Sequence, residues 1–355
     1  MKVDGTEPIK VMIVAGTKPE AIKLAPVIQK LRGRPDNFET TIVTTGEHRQ
    51  LFEQAFSLFS IRPDIDLNLF DSTKDVRTVA SQVLENVSVT LGDVKPDILL
   101  IQGGSTSVLA SCLAAFYQQI PVAHIEAGLR SRNKYNPFPE ELNRHLTTVI
   151  ADIHFAPTSF AKEVLLSEGI DAEKIVVTGN TVVDALFHVS SLPFFTKGTV
   201  LEQVDLNKYR LLLVTSNRRE SWGLDLLNIC EAIKEITKQH EDIVVVYPVF
   251  PNPMVKITIE KVLGGIERVH LTRPLDYLTF INVMKRSCMV LTDSSGLQEE
   301  APTLKKPLLL MRHVTERPEA FEAGLAKFVG TEKSAIVQAA GELLRDENAY
   351  RAMTD

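Results

Sequence analysis

"DILLIQGGSTSVLASCLAAFYQQ", Asp97 to Gln119, runs from one kind of segment directly into another. Asp97–Ile101 is short and almost continuously apolar, which predicts a strand covered on both faces. Ser105–Gln119 repeats apolar residues at helical spacing, with Val108, Leu109, Cys112, Leu113 and Phe116 on one side. Between them lie Gln102, Gly103, Gly104, Ser105 and Thr106. A turn of this kind can hold a ligand oxygen against the free N–H groups of a helix N-terminus. No side chain in it exchanges a proton at neutral pH.

The same unit recurs along the chain. Strands are predicted at 10–15, 40–44, 97–101, 122–125 and 174–177, and again at 210–215, 242–248, 269–271, 289–292 and 307–311. Helical patterns at 19–31, 49–59, 105–119, 226–239 and 277–286 separate them. Alternating strands and helices imply right-handed βαβ units in open parallel sheets. The series starts twice, and Gly179, Pro193 and Gly198 punctuate the join. The expected fold is α/β: two Rossmann-like, doubly wound domains facing across a cleft, 1–178 and 179–355. Ligands in such sheets bind beyond the carboxyl ends of the strands, so the turns after strands hold the candidate sites.

The chain has 355 residues, 44% hydrophobic and 24% charged, with a net charge of −6. Two cores of ordinary size fit that length. The acidic balance argues against a nucleic-acid or anionic-membrane binder. Cys112, Cys230 and Cys288 are few and far apart, which argues against a disulfide framework and a cysteine metal site. The first ten residues hold no apolar leader, and no apolar run reaches the roughly 18–20 residues of a membrane span. The expectation is a soluble cytoplasmic protein with no metal and no cofactor.

Five turns carry candidate chemistry. In "VAGTKPEAIKLAP", Thr17 can cap a helix that opens at Pro19, and Lys18 is placed to meet a phosphate; the bland reading is a capped helix with a solvated lysine. In "VTSNRRESWG", Arg218 and Arg219 follow a strand and suit a diphosphate, or else form a surface pair with Glu220. In "LTDSSGLQEEAP", Ser294, Ser295 and Gly296 can close on a phosphate and Glu299 or Glu300 can accept from a ribose diol. The alternative is a serine cap with acids in the first helical turn. In "HIEAGLRSRNKYNPFPEELNRHL", Glu126 ends a strand while Glu140 and Glu141 open a helix; His124 reads as a core histidine. In "RHVTERPEAFEAG", Arg317 can meet an anion or pair with Glu316 or Glu319.

Taken in order, "GTKPEAIKLAP", "TGEHRQ", "KPDILLIQGG", "LAAFYQQIPVAHIEAGLRS", "FPEELNR", "GNTVVDAL", "RRESWG", "DSSGLQEEAP" and "TERPEAFEAG" resemble the non-hydrolysing UDP-N-acetylglucosamine 2-epimerases from about residue 10 to 347. The resemblance implies the two-domain GT-B arrangement, a nucleotide sugar between the domains and a homodimer. It also implies a reaction in which UDP is eliminated across C1–C2 of the sugar and added back to give the C2 epimer. By motif, Lys18, Arg218, Ser294, Ser295, Gly296, Glu300 and Arg317 would bind phosphate and nucleotide, and Glu126, Glu140 and Asn217 would be catalytic. Gln102, Gly104, Ser105 and His313 would line the substrate pocket.

Departures from the family pattern accompany the match. Gly104 stands where the family has an aspartate, Asn217 and Phe250 where it has histidines, Lys18 for Arg, Glu47 for Gln, Ser295 for Gly and His313 for Asp. Cations for a leaving phosphate remain while proton-transfer groups are thinned, and Gly104 is expected to open space beside the sugar. That balance favours a divergent enzyme that breaks the C1–O bond of a nucleotide sugar or sugar phosphate and transfers the sugar to a small-molecule acceptor. The alternatives are a UDP-N-acetylglucosamine 2-epimerase and, third, a non-catalytic nucleotide-sugar-binding homologue.

Overall fold

The computed structural model describes residues 7–46, 49–69, 75–216, 218, 221–312 and 314–354, without the side chains of Gln50 and Leu51. The chain divides into two compact units, one ending at Ala185 and one beginning at Leu186. The division falls within a helix, beyond the expected boundary at 178/179.

In the first unit, strands β1 (Ile9–Ala15), β2 (Phe38–Thr44), β3 (Ile65–Asp66), β4 (Ile98–Gln102), β5 (Val122–Ile125), β6 (Ile153–Ala156) and β7 (Ile175–Val177) alternate with helices. These are α1 (Lys18–Arg32), α2 (Arg49–Ser57), α3 (Val76–Val94), α4 (Thr106–Tyr117), α5 (Glu140–Ile150), α6 (Ser159–Ser167) and α7 (Thr181–Ser191), the last crossing the division. All pairings are parallel and the strand order is β3-β2-β1-β4-β5-β6-β7. The direction of winding reverses between β1 and β4, so the turns after these two strands flank a topological switch point.

The second unit repeats the plan. Strands β8 (Arg210–Thr215), β9 (Ile243–Pro248), β10 (Val269–Thr272), β11 (Ser287–Thr292), β12 (Leu308–Leu310) and β13 (Ala326–Phe328) lie in the order β10-β9-β8-β11-β12-β13. Between and after them come α8 (Leu224–Gln239), α9 (Pro253–Leu263), α10 (Tyr277–Arg286), α11 (Leu297–Thr303), α12 (Glu319–Glu322), α13 (Lys333–Arg345) and α14 (Glu347–Ala352). Its switch point lies between β8 and β11.

Each sheet is covered on both faces, which is why its strands read as apolar runs. Met12, Val14, Leu99 and Ile101 pack with Val83, Val87 and Leu91 of α3 and with Val108 and Cys112 of α4. In the second unit Leu212, Val214, Val245, Tyr247 and Leu291 pack against α8 and α13. The expectation of two Rossmann-like, doubly wound units holds. Among the described residues no helix is long and apolar enough to cross a membrane.

Candidate active site

The β1–α1 turn is closed by its own helix. Thr17 caps α1, with Oγ1 accepting from the Glu20 N–H at 3.4 Å, and the Glu20 carboxylate accepts from the N–H groups of Gly16 at 2.7 Å and Thr17 at 3.2 Å. This reciprocal capping box uses donors that a phosphate would otherwise take. Lys18 opens α1 and is half-buried.

One turn further along α1 stands a residue that motif reading passed over. Lys23 reaches across to β5, where its Nζ donates to both oxygens of Glu126 at 2.7 and 2.8 Å. The same carboxylate accepts from Asn180 Nδ2 at 2.9 Å and from the Gln102 side-chain amide at the end of β4. Glu126 is 3% exposed and sits at φ +65°, a region sparsely used by residues other than glycine. Holding it there costs of order 1 kcal/mol, a strain typical of functional positions. The sequence signal for Lys23 was a lone cation between the apolar pairs Ala21–Ile22 and Leu24–Ala25, all four of which are buried.

His124, on β5, is buried, and its Nε2 donates to the Gly103 carbonyl at 2.7 Å. Burial pushes its pKa down to about 4, against the weaker upward pull of that hydrogen bond. It is a structural histidine that fixes Gly103, whose φ of +84° suits glycine alone.

Glu140 and Glu141 have separate roles. Glu141 is buried, and its carboxylate accepts from the N–H groups of Ser131 at 2.9 Å and Arg132 at 2.8 Å, fixing the loop between β5 and α5. Glu140 is half-buried at the start of α5, and no hydrogen bond or ion pair engages its carboxylate among the described residues. Of the two, only Glu140 is available for proton transfer.

Gly104 does not open space. A Cβ built on it would lie 2.6 Å from Arg144 Cγ, 3.0 Å from the Glu140 carbonyl oxygen and 3.2 Å from Arg144 Nε. Helix α5 lies against the turn: Asn143 Nδ2 donates to the Gly104 carbonyl at 3.0 Å and Arg144 fills the volume that a side chain at 104 would take. Ser105 is the cap of α4, its Oγ accepting from the Val108 N–H at 3.2 Å. Gln102, Gly104, Ser105, Glu126 and Glu140 thus lie around one turn of the first unit.

The second unit gathers the other expected residues at its own switch point. Arg218 donates through its backbone N–H to Asp293 at 2.9 Å and through Nη2 to Ser295 Oγ at 2.9 Å. Ser294, Ser295 and Gly296 are half-exposed beyond β11. Glu300 Oε2 is 3.9 Å from the position of a Cβ on Gly296, while its Oε1 accepts from the Tyr277 hydroxyl at 2.6 Å. Burial, with the adjacent carboxylate, pushes that phenol's pKa up. Arg317 is buried, pairs with Glu299 through Nε and lies 3.6 Å from Glu316. Asn217, Arg219, Glu220, His313 and Glu47 lie outside the described residues.

Two parallel, doubly wound sheets with charged and hydrogen-bonding groups beyond the carboxyl ends of their strands define a protein of two Rossmann-like units. The family model described as UDP-N-acetylglucosamine 2-epimerase matches residues 29–355. The UDP-N-acetylglucosamine 2-epimerase of Bacillus subtilis is 45% identical over 346 residues, 98% of this chain and 90% of that one. Its counterpart in Salmonella typhimurium is 44% identical over 352 residues, 98% and 93% of the two chains. The crystal structure of UDP-GlcNAc 2-epimerase from Neisseria meningitidis bound to UDP-GlcNAc superposes with a TM-score of 0.92, at 40% identity, covering 98% of this chain and 94% of that one.

The chain belongs to the UDP-N-acetylglucosamine 2-epimerase family. These findings overturn the expected sugar transferase and its acceptor: close relatives over nearly the whole length are epimerases by name, and one is solved with UDP-GlcNAc bound.

The buried His124 makes stability pH-dependent. Its folded pKa of about 4 lies below the ordinary 6.5, so its contribution is complete above pH 6.5 and is lost as pH falls toward 4. The loss amounts to about 3 kcal/mol at 1.36 kcal/mol per unit. Urea unfolding at pH 7.5, 6 and 5 is expected to show a steeper decline for the wild type than for His124→Asn; equal slopes contradict the assignment.

Proposed function

We propose that this chain is a UDP-N-acetylglucosamine 2-epimerase, interconverting UDP-GlcNAc and UDP-ManNAc by elimination and re-addition of UDP. The observation that carries this reading is one uncommitted carboxylate, Glu140, beside a turn that also holds the anchored Glu126, in a chain whose relatives are epimerases by name. The first unit faces the sugar. Glu140 takes the C2 proton as the C1–O bond breaks and a C1–C2 double bond forms. A solvent-derived proton delivered to the opposite face of C2, with UDP adding back at C1, gives the epimer, and Glu140 releases its own proton to solvent. Glu126, with Lys23, Gln102 and Asn180, fixes the sugar-side hydrogen bonds, and Ser105 belongs to the same turn.

The second unit faces the nucleotide. Arg218, Ser294, Ser295 and Gly296 stabilise the departing diphosphate, where preorganised donors act most strongly. Arg317 and Glu300 serve the uridine side; a buried acid already hydrogen-bonded to a phenol suits a ribose diol.

The protein acts as a homodimer joined through α4 and α5. Leu142, Leu146 and Val149 share one face of α5 at 46%, 43% and 80% exposure, and Phe116 and Tyr117 of α4, which packs on α5, are also exposed. An apolar patch of this kind marks an interaction surface. Light scattering is expected to give twice the chain mass of 39.5 kDa, and Val149→Glu with Leu146→Glu to give the monomer; a monomeric wild type contradicts the dimer.

Incubation with UDP-GlcNAc in heavy water tests the reaction. One deuterium is expected at C2 of both sugars by NMR, with UDP-ManNAc appearing at equilibrium. Glu140→Gln is expected to slow both by about 100-fold or more, as for loss of a positioned base. Tight binding of UDP-GlcNAc with neither exchange nor epimer contradicts the function.

A further inference from the structure

Arg144 is the one guanidinium at the sugar-side turn that the proposed reaction leaves unused. It is 8% exposed, and neither Nε nor Nη1 has a hydrogen-bond partner. No carboxylate lies within ion-pair distance of it among the described residues, although Glu140 stands one turn earlier on the same helix. The neighbouring acids are committed elsewhere: Glu126 to Lys23, Gln102 and Asn180, and Glu141 to the N–H groups of Ser131 and Arg132. Arginine cannot shed its proton, so the charge persists. A largely buried charge with no counter-charge and two of its three nitrogens unpaired is costly, and native structures keep one where a partner arrives.

The partner has a definable chemistry. Arg144 lies across Gly104, with Cγ and Nε 2.6 and 3.2 Å from where a Cβ would stand. The N-terminus of α4, capped by Ser105, adds positive potential beside it. No acid at 104 offsets these charges. A neutral sugar oxygen would accept a hydrogen bond without compensating the charge. A carboxylate does both, and its two oxygens match the guanidinium fork.

We propose that Arg144 is a specificity-determining residue that receives a carboxylate carried by the sugar, so that the preferred substrate is a UDP-linked 2-acetamido sugar acid. This rests on the epimerase reading for the choice of nucleotide and of the 2-acetamido group. Binding draws the guanidinium from its position over Gly104 into pairing with the acid. Replacing Gly104 by aspartate supplies the counter-charge from the protein and repels that acid.

The test compares UDP-GlcNAc with UDP-N-acetylglucosaminuronic acid, its C6 carboxylate counterpart, as ligands of the full-length wild type, R144Q and G104D. Calorimetry reads affinity and C2 deuterium exchange reads turnover. The wild type is expected to bind the acid about 100-fold more tightly than the neutral sugar, the scale of a desolvated charge pair. R144Q is expected to bring that ratio near one, mainly through weaker acid binding and raised KM, and G104D to favour the neutral sugar. A wild type that binds the neutral sugar as well as or better than the acid overturns the proposal, as does an R144Q ratio equal to the wild type's. Absence of C2 exchange with both sugars overturns the epimerase reading instead, and the affinity ratio still decides the role of Arg144.

Discussion

The ion pair between Lys23 and Glu126 is the constraint from which the arrangement around the Gly104 turn follows. One carboxylate, 3% exposed, gathers donors from α1, from the end of β4 and from Asn180 just before α7. Four separate pieces of chain therefore meet at one point beside the switch point of the first sheet. Removing a buried charge from water costs several kcal/mol, which this arrangement offsets only because every donor is in place. Glu126 also adopts a positive φ, and its hydrogen bonds hold that conformation against the local preference.

Around this anchor the acids divide their work by burial and partnership. Glu20 closes the β1–α1 turn, Glu141 fixes the loop after β5, and Glu126 is held by Lys23, Gln102 and Asn180. Glu140 alone among these four has no recorded partner for its carboxylate. Helix α5 thus presents an acid free to exchange a proton and, one turn later, a cation without a counter-charge, both against the turn at Gly104.

The two doubly wound units were legible because strands buried on both faces leave unbroken apolar runs. The strand at Ile153–Ala156 was not: it is four residues long, contains His154 and follows α5 almost without a break. The strand at Ala326–Phe328 has two exposed residues of three and leaves no apolar run to find. Motif reading brought the turn residues together within each unit but missed Lys23 and Arg144. Lys23 resembles any polar position of an amphipathic helix, and only its cross-chain partner, 103 residues away, reveals its role. Gly104 was read as space because a sequence shows a missing side chain; it does not show Arg144, forty positions later, lying over it. Chain reversals that bring distant side chains together belong to packing, which local pattern does not encode.

The arrangement around the Gly104 turn depends most directly on the coupling between Lys23 and Glu126. A double-mutant cycle with Lys23→Met, Glu126→Gln and the double variant, read by urea unfolding, isolates that term. A coupling of about 2 kcal/mol or more is expected for charges held in this contact, with the double variant more stable than the sum of the single losses implies. Additive losses, within about 0.5 kcal/mol, would mean that the pair is not the anchor of the site.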